Sequence, residues 1–251
     1  MIEVKIRTLI MSFLAVIITT SLLVFVKPGK EMITHNEIQN NNIEELDNST
    51  NLVKHGPRDR KMVTLTFDDG PNPVYTPQIL DVLKKHNVKA NFFVLGKHAE
   101  KYPDIILRMK KEGHEIGNHS YSHINVEKSS IEEIKAEIIK TQEIVKNITG
   151  ENPKLLRPPY GLYNGKIINM SKEMDLKIVL WTYYQDPKDW SSPGVDHIVE
   201  IVTTKIKNGD IILLHDHNEK ESHTVEALKT IIPKLTEMGY EFVTISELLN
   251  L

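Results

Sequence analysis

Thr66-Phe67-Asp68-Asp69-Gly70 ends a short apolar run, Val63–Phe67, on two adjacent carboxylates and a glycine. Four later clusters repeat that arrangement. His119-Ser120-Tyr121-Ser122-His123 follows the run His114–Gly117, and Arg157-Pro158-Pro159-Tyr160-Gly161 follows Lys154–Leu156. Asp186-Pro187-Lys188-Asp189-Trp190 comes after Ile178–Trp181, and Leu213-Leu214-His215-Asp216 closes Ile211–Leu214. Reactive side chains thus stand at the exits of successive β-favouring runs. An α/β barrel builds its site on one face in that way.

Amphipathic segments of helical period lie between the runs. Ile131, Ile134, Ile138 and Val145 share a face, and Ser130 with Glu133 has capping-box spacing. Val225, Leu228, Ile231, Leu235 and Met238 form a second stripe, with Gly239 at the C′ position. Thr244 and Glu247 predict a capped terminal helix. The alternation implies an α/β domain with a mainly parallel sheet over residues 61–251. Roughly 190 residues can bury one substantial core.

The preceding residues read differently. Lys5 and Arg7 lead into an uncharged stretch from Thr8 to Val26. As a helix it would span roughly 28 Å, about one hydrocarbon core. Residues 1–26 are therefore expected to be a transmembrane signal anchor. A cleaved secretion signal is the alternative, kept open by Thr19, Thr20 and Ser21. Residues 27–60 are expected to be a flexible linker, since Asn36–Asn51 is too polar to offset its ordering entropy. Positive charge flanks both ends of the apolar stretch, so the positive-inside rule decides orientation only weakly. The chain of 251 residues contains no cysteine, which excludes disulfides and thiolate metal ligands. Its net charge of -3 argues against a nucleic-acid partner. No oligomer signature is visible, and a monomer is expected.

His119 and His123 lie four apart, able to share a helical face or to converge from a loop. Two imidazoles and a carboxylate suit zinc or another divalent ion such as cobalt. The carboxylate must come from elsewhere, and Asp68-Asp69 is the best source. Adjacent residues leaving a strand point apart, so one aspartate can bind the ion while the other faces substrate. Two like charges side by side themselves call for a cation or an arginine. In a chain with 11 histidines the His spacing alone is weak; the Asp-Asp-Gly context gives it weight. His35, His55, His86, His98, His197 and His223 lack such context and are expected to be solvated or capping. Asp216 and His217 are expected to cap the next helix.

In this order and spacing the five clusters resemble the polysaccharide deacetylase family, the NodB homology domain of carbohydrate esterase family 4. The resemblance covers about residues 61–251, with no chemical substitution in any motif. It implies a distorted (β/α) barrel, a divalent metal, and removal of N- or O-acetyl groups from sugar polymers. By that resemblance Asp69, His119 and His123 are the metal ligands. Asp68 is the general base, and Arg157 holds and tunes it. His215 is the general acid, and Asp189 orients and charges it. Trp190 and Leu213 line the acetyl methyl, and the Tyr160 backbone N–H helps hold the oxyanion.

The chemistry has its own logic. An amide carbonyl is a poor electrophile and water a poor nucleophile, and a three-ligand metal ion with open positions assists both. The oxyanion needs an aimed donor, and the amine leaves only when protonated. A base and an acid with different partners have their proton affinities pushed apart. Blander alternatives stand beside the roles: Arg157 as a surface arginine, Trp190 as core, Leu213 as core unless the strand end opens on the site. The functional expectation is an N-deacetylase of an envelope polysaccharide, peptidoglycan first and a chitin-like oligomer second. Its catalytic domain is expected outside the cytoplasm, on a single-pass membrane anchor or secreted. O-acetyl xylan esterase, a retired wall-binding module and a phosphoesterase with a more basic pocket are the rival classes.

Overall fold

The computed structural model describes residues 51–218 and 221–251. Eight strands form the sheet: β1 (Leu52–Val53), β2 (Met62–Asp68), β3 (Asn91–Val94), β4 (Glu115–Asn118), β5 (Leu155–Leu156), β6 (Lys177–Val179), β7 (Ile211–His215) and β8 (Glu241–Phe242). The helices are α1 (Tyr75–Lys85), α2 (Gly96–Lys101), α3 (Pro103–Lys111), α4 (Ile131–Thr149), α5 (Gly165–Glu173), α6 (Val195–Thr204), α7 (Thr224–Glu237) and α8 (Ile245–Leu249). Every strand pairing is parallel, in the order β1-β6-β5-β4-β3-β2-β7, with β8 against the start of β2.

The edges β1 and β7 do not pair directly. The segment 180–185 bridges them, with Leu180 N–H donating to Val53 O at 2.8 Å and Thr182 N–H to Ile211 O at 3.0 Å. Leu213 N–H donates to Gln185 O at 3.0 Å. The sheet is thus an incomplete parallel barrel, and all its strands exit on one rim. β2 is buried at every position, as a central parallel strand between covering layers must be. Phe67 on β2 stacks on Phe92 of β3, with ring centroids 5.0 Å apart.

The helix signals correspond to real ends. Ser130 and Glu133 close a reciprocal capping box on α4, and Thr244 and Glu247 do the same on α8. Each such cap contributes about 1 kcal/mol. Val225, Leu228, Ile231 and Leu235 are buried on α7. Met238 is 40% exposed, because the helix has reached its C-cap there and Gly239 (φ 84°) turns the chain away. Tyr240 N–H donates to Leu235 O and Gly239 N–H to Thr236 O, the two bonds of a Schellman stop.

One sequence expectation changes, and one central strand has no counterpart among the sequence signals. Residues 51–60 do not behave as linker. Leu52 and Val53 pair with Ile178 and Val179, and Leu52 is buried, so the fold reaches back ahead of Lys61. Two residues of strand are too short for a periodicity signal. β3 carries no reactive cluster at its exit, yet it lies beside β2 at the sheet centre. The expected signal anchor, residues 1–26, lies outside the described residues. Among those described, no helix is long and apolar enough to cross a membrane.

Candidate active site

The site is built where β2, β4, β5 and β7 leave the sheet. Asp68 is the last residue of β2 and points inward, 4% exposed. Asp69 then takes φ 73°, so the two carboxylates diverge by leaving the extended conformation rather than by strand alternation alone. Ser120 (φ 67°), His123 (φ 70°) and Tyr160 (φ 61°) are also left-handed, and Lys188 and Ser192 flank Asp189-Trp190 in the same region. Each such non-glycine residue costs roughly 1–3 kcal/mol and persists only where its surroundings overdetermine it.

Those surroundings are specific. Ser120 Oγ accepts from His123 N–H at 3.1 Å and Ile124 N–H at 3.2 Å. The histidines therefore converge from a tight loop, not from a helical turn. Glu137 of α4 accepts from Tyr121 N–H (3.0 Å) and Ser122 N–H (2.6 Å) and clamps that loop from outside. The β3–α2 junction ties the two loops together. Leu95 N–H donates to Gly70 O, Gly96 N–H to Ser120 O, and Lys97 N–H to Tyr121 O. A Cβ on Gly96 would fall 2.4 Å from Thr141 Oγ1, so only glycine permits this approach.

Asp69 Oδ1 lies 3.5 Å from His119 Nε2 and 3.3 Å from His123 Nε2. The same oxygen is buried and has no hydrogen-bond partner. His119 Nδ1–H donates to Arg157 O at 2.6 Å, which leaves the Nε2 lone pair facing Asp69. Burial pushes the His119 pKa down to about 3, so the ring is neutral, as a ligand must be. An orphaned carboxylate oxygen opposite two imidazole nitrogens fits a divalent cation; the donor set is that of a three-ligand zinc-type site.

Arg157 is wholly buried. Its Nη1 donates to Asp68 Oδ1 and Thr66 Oγ1, both at 2.8 Å, and Nε and Nη2 donate to Val179 O and Leu180 O. The guanidinium lies 4.1 Å from the Phe93 ring centroid. This is no surface arginine. Burial raises the Asp68 carboxyl above the ordinary carboxylate range, and the Arg157 charge restrains that rise.

Across the cleft, His215 Nδ1–H donates to Asp189 Oδ1 at 2.7 Å, and its backbone N–H to Asp189 Oδ2 at 2.9 Å. Thr224 Oγ1–H also donates to Asp189 Oδ2 at 2.7 Å. Burial alone would lower the His215 pKa, but the Asp189 charge and hydrogen bond prevail and raise it to about 9. A cleft of about 420 Å³ joins both pairs, and Tyr160, Trp190 and Leu213 line it. Trp190 is 53% exposed, which removes the reading of it as core. Leu213 is buried and still faces the cleft, so both of its readings hold. All ten residues singled out in the sequence therefore meet at one rim.

Several neighbours were misjudged or missed. Asp216 does not cap α7; the residue at that position is His223, with no side-chain bond. Asp216 instead accepts from Thr76 Oγ1 at 2.6 Å and packs where a Gly70 Cβ would fall 2.1 Å from its Oδ2. Burial raises its pKa to about 7. His98 is not merely solvated: its Nδ1–H donates to Asp69 O at 2.7 Å, and its ring stacks on His217 at 4.5 Å. Trp181 lines the cleft although it reads as a strand residue. Side-chain contacts across sequence separations this long leave no local pattern.

The polysaccharide deacetylase family model matches residues 55–179. A peptidoglycan-N-acetylglucosamine deacetylase of Bacillus cereus is 42% identical over 207 residues, covering 82% of this chain and 97% of that protein. A chitooligosaccharide deacetylase of Sinorhizobium fredii is 37% identical over 189 residues, covering 71% of this chain and 87% of that one. A crystal structure of a peptidoglycan N-acetylglucosamine deacetylase superposes with a TM-score of 0.76 at 41% identity, covering 80% of this chain and 93% of its own.

Proposed function

This chain belongs to the polysaccharide deacetylase family, and from that premise we propose that it removes N-acetyl groups from the N-acetylglucosamine units of peptidoglycan. The observation that carries the proposal is the buried, unpartnered Asp69 Oδ1 facing two imidazole Nε2 atoms between an Asp68–Arg157 pair and an Asp189–His215 pair. The family's enzymes are metalloenzymes, and Asp69, His119 and His123 would hold the ion, with zinc the proposed species. When bound, such an ion supplies Lewis-acid polarisation of the acetyl carbonyl and lowers the pKa of an attacking water.

The side chains supply the rest. Asp68, held in one orientation by Arg157, takes the proton of the attacking water. Its raised proton affinity suits a base working near neutral pH. His215, its pKa raised by the Asp189 charge and hydrogen bond, gives a proton to the departing sugar amine from the other side. The Tyr160 backbone, set by its left-handed φ, is the proposed N–H donor to the oxyanion. Leu213 and Trp190 enclose the acetyl methyl and exclude water. The products are acetate and a free amine on the polymer.

The apolar stretch Thr8–Val26 supports placement of the domain outside the cytoplasm, on a membrane anchor and next to its polymer. The test is acetate release by the purified full-length chain, metal-loaded, from peptidoglycan, chitooligosaccharides and acetyl-xylan. Acetate from peptidoglycan that stops on chelation is expected. Release from acetyl-xylan alone would replace N-deacetylation by esterase activity, and release from none would leave a retired wall-binding module.

A further inference from the structure

A second cleft, of about 530 Å³, opens beside the first and shares Asp69, His123 and Trp190 with it. Its own lining is Leu95, Lys97, His98, His217 and Asn218. None of these five side chains has a part in the proposed reaction. The cleft continues the reaction cleft past the proposed metal ligands, so it offers room for a unit that adjoins the acetylated one over Asp69.

The lining has a definite chemistry. Trp190 offers an exposed indole face, the usual platform for the apolar face of a pyranose ring. The His98 and His217 rings stack at 4.5 Å with an interplanar angle of 12°. His98 commits Nδ1–H to Asp69 O, which leaves Nε2 to accept from a hydroxyl. Asn218 is braced against Trp190 O through its Nδ2 at 3.3 Å. Lys97 contributes an exposed ammonium and forms no ion pair with a described carboxylate. Asp69 is the sole carboxylate among the described lining residues, and it faces the histidine nitrogens. Among the described residues, one cation thus stands at this subsite without a counter-charge.

We infer that this cleft is a subsite for the adjoining sugar of the polymer and that Lys97 recognises a carboxylate carried by that sugar. The inference rests on the deacetylase reading and sharpens it. A neutral chitin-like neighbour has nothing for Lys97, whereas a muramic acid neighbour carries a lactyl acid, or a stem peptide joined through it that ends in a carboxylate. The subsite therefore selects an acidic alternating glycan over a neutral homopolymer.

The experiment is calorimetric binding to the zinc-loaded full-length chain. The probes are N-acetylglucosaminyl-N-acetylmuramic acid, its methyl ester, and the same disaccharide amide-linked to a dipeptide. An exposed or rim charge pair corresponds to roughly three- to five-fold in affinity. The free acid, the dipeptide acid or both should bind tighter than the ester by that factor, and which of them does identifies the source of the carboxylate. Lys97→Glu should bring the acid-to-ester ratio to one or below. Lys229→Glu on α7, an equal change in net charge far along the sequence, should keep the ratio. Acids and ester that do not differ in the unmutated chain, binding or not, overturn the inference, as does a ratio that survives Lys97→Glu. Acetate is assayed in parallel. Absence of acetate with an intact acid preference would sink the deacetylase reading alone; acetate with equal affinities would sink the subsite alone.

Discussion

Two carboxylate–cation pairs face each other across the cleft, and they differ in the cation. Asp68 is held by Arg157, whose side chain is completely buried and cannot give up its proton. Asp189 is held against His215, which keeps 12% of its side-chain surface and can lose its proton as pH rises through about 9. In the first pair the carboxylate is the group that can titrate. In the second it is the imidazole. In the proposed mechanism the same motif, an acid beside a base, serves as proton acceptor on one side and donor on the other because only one of the cations is titratable.

The sharpest way to break that contrast is at Asp68. Asp68→Ala is expected to lower kcat by roughly 10²–10⁴ while the chain still binds zinc, measured by acetate release and metal content. Full activity in this variant would refute the base assignment. Arg157→Met should strand Asp68 as a buried unpaired charge. A loss of about 3–5 kcal/mol in unfolding free energy is expected from denaturant titration, and a loss under 1 kcal/mol would mean that the pair contributes little.

The other pair is tested through pH. His215 has its folded pKa raised to about 9, so its proton is present below that value and lost as pH rises through it. The rate should therefore fall on the alkaline side. Asp189→Asn should move that limb down towards the ordinary histidine value of about 6.5 or lower. The stability linkage has the same sign. The protonated His215–Asp189 pair contributes fully below about 6.5, and that contribution disappears as pH climbs through about 9. An unmoved limb in Asp189→Asn would assign the alkaline titration to another group.

The smallest effect is expected away from both pairs. Glu137→Gln weakens the clamp on Tyr121 and Ser122 and lets the His119–His123 loop relax. Supports of this kind alter metal affinity by about tenfold. A zinc competition titration reads the change directly, and Asp68 and His215 should keep their pH behaviour.

The sequence by itself determined the chemistry at the rim. Strand-like runs ending in Asp, His, Arg and a second His are local patterns, and so are the capping boxes at Ser130 and Thr244. Local hydrogen bonds and a one-sided burial demand write them within a few residues. Tertiary structure alone decided which groups meet. It folded Leu52–Val53 into the sheet, set β3 as the brace between the loops that carry Asp69 and His119, buried Asp216 against Gly70, and stacked His98 on His217. Those contacts join positions from 24 residues apart, Gly96 and Ser120, to 146 apart, Gly70 and Asp216. They arise from the closure of the barrel, where packing and desolvation act between elements that share no local code.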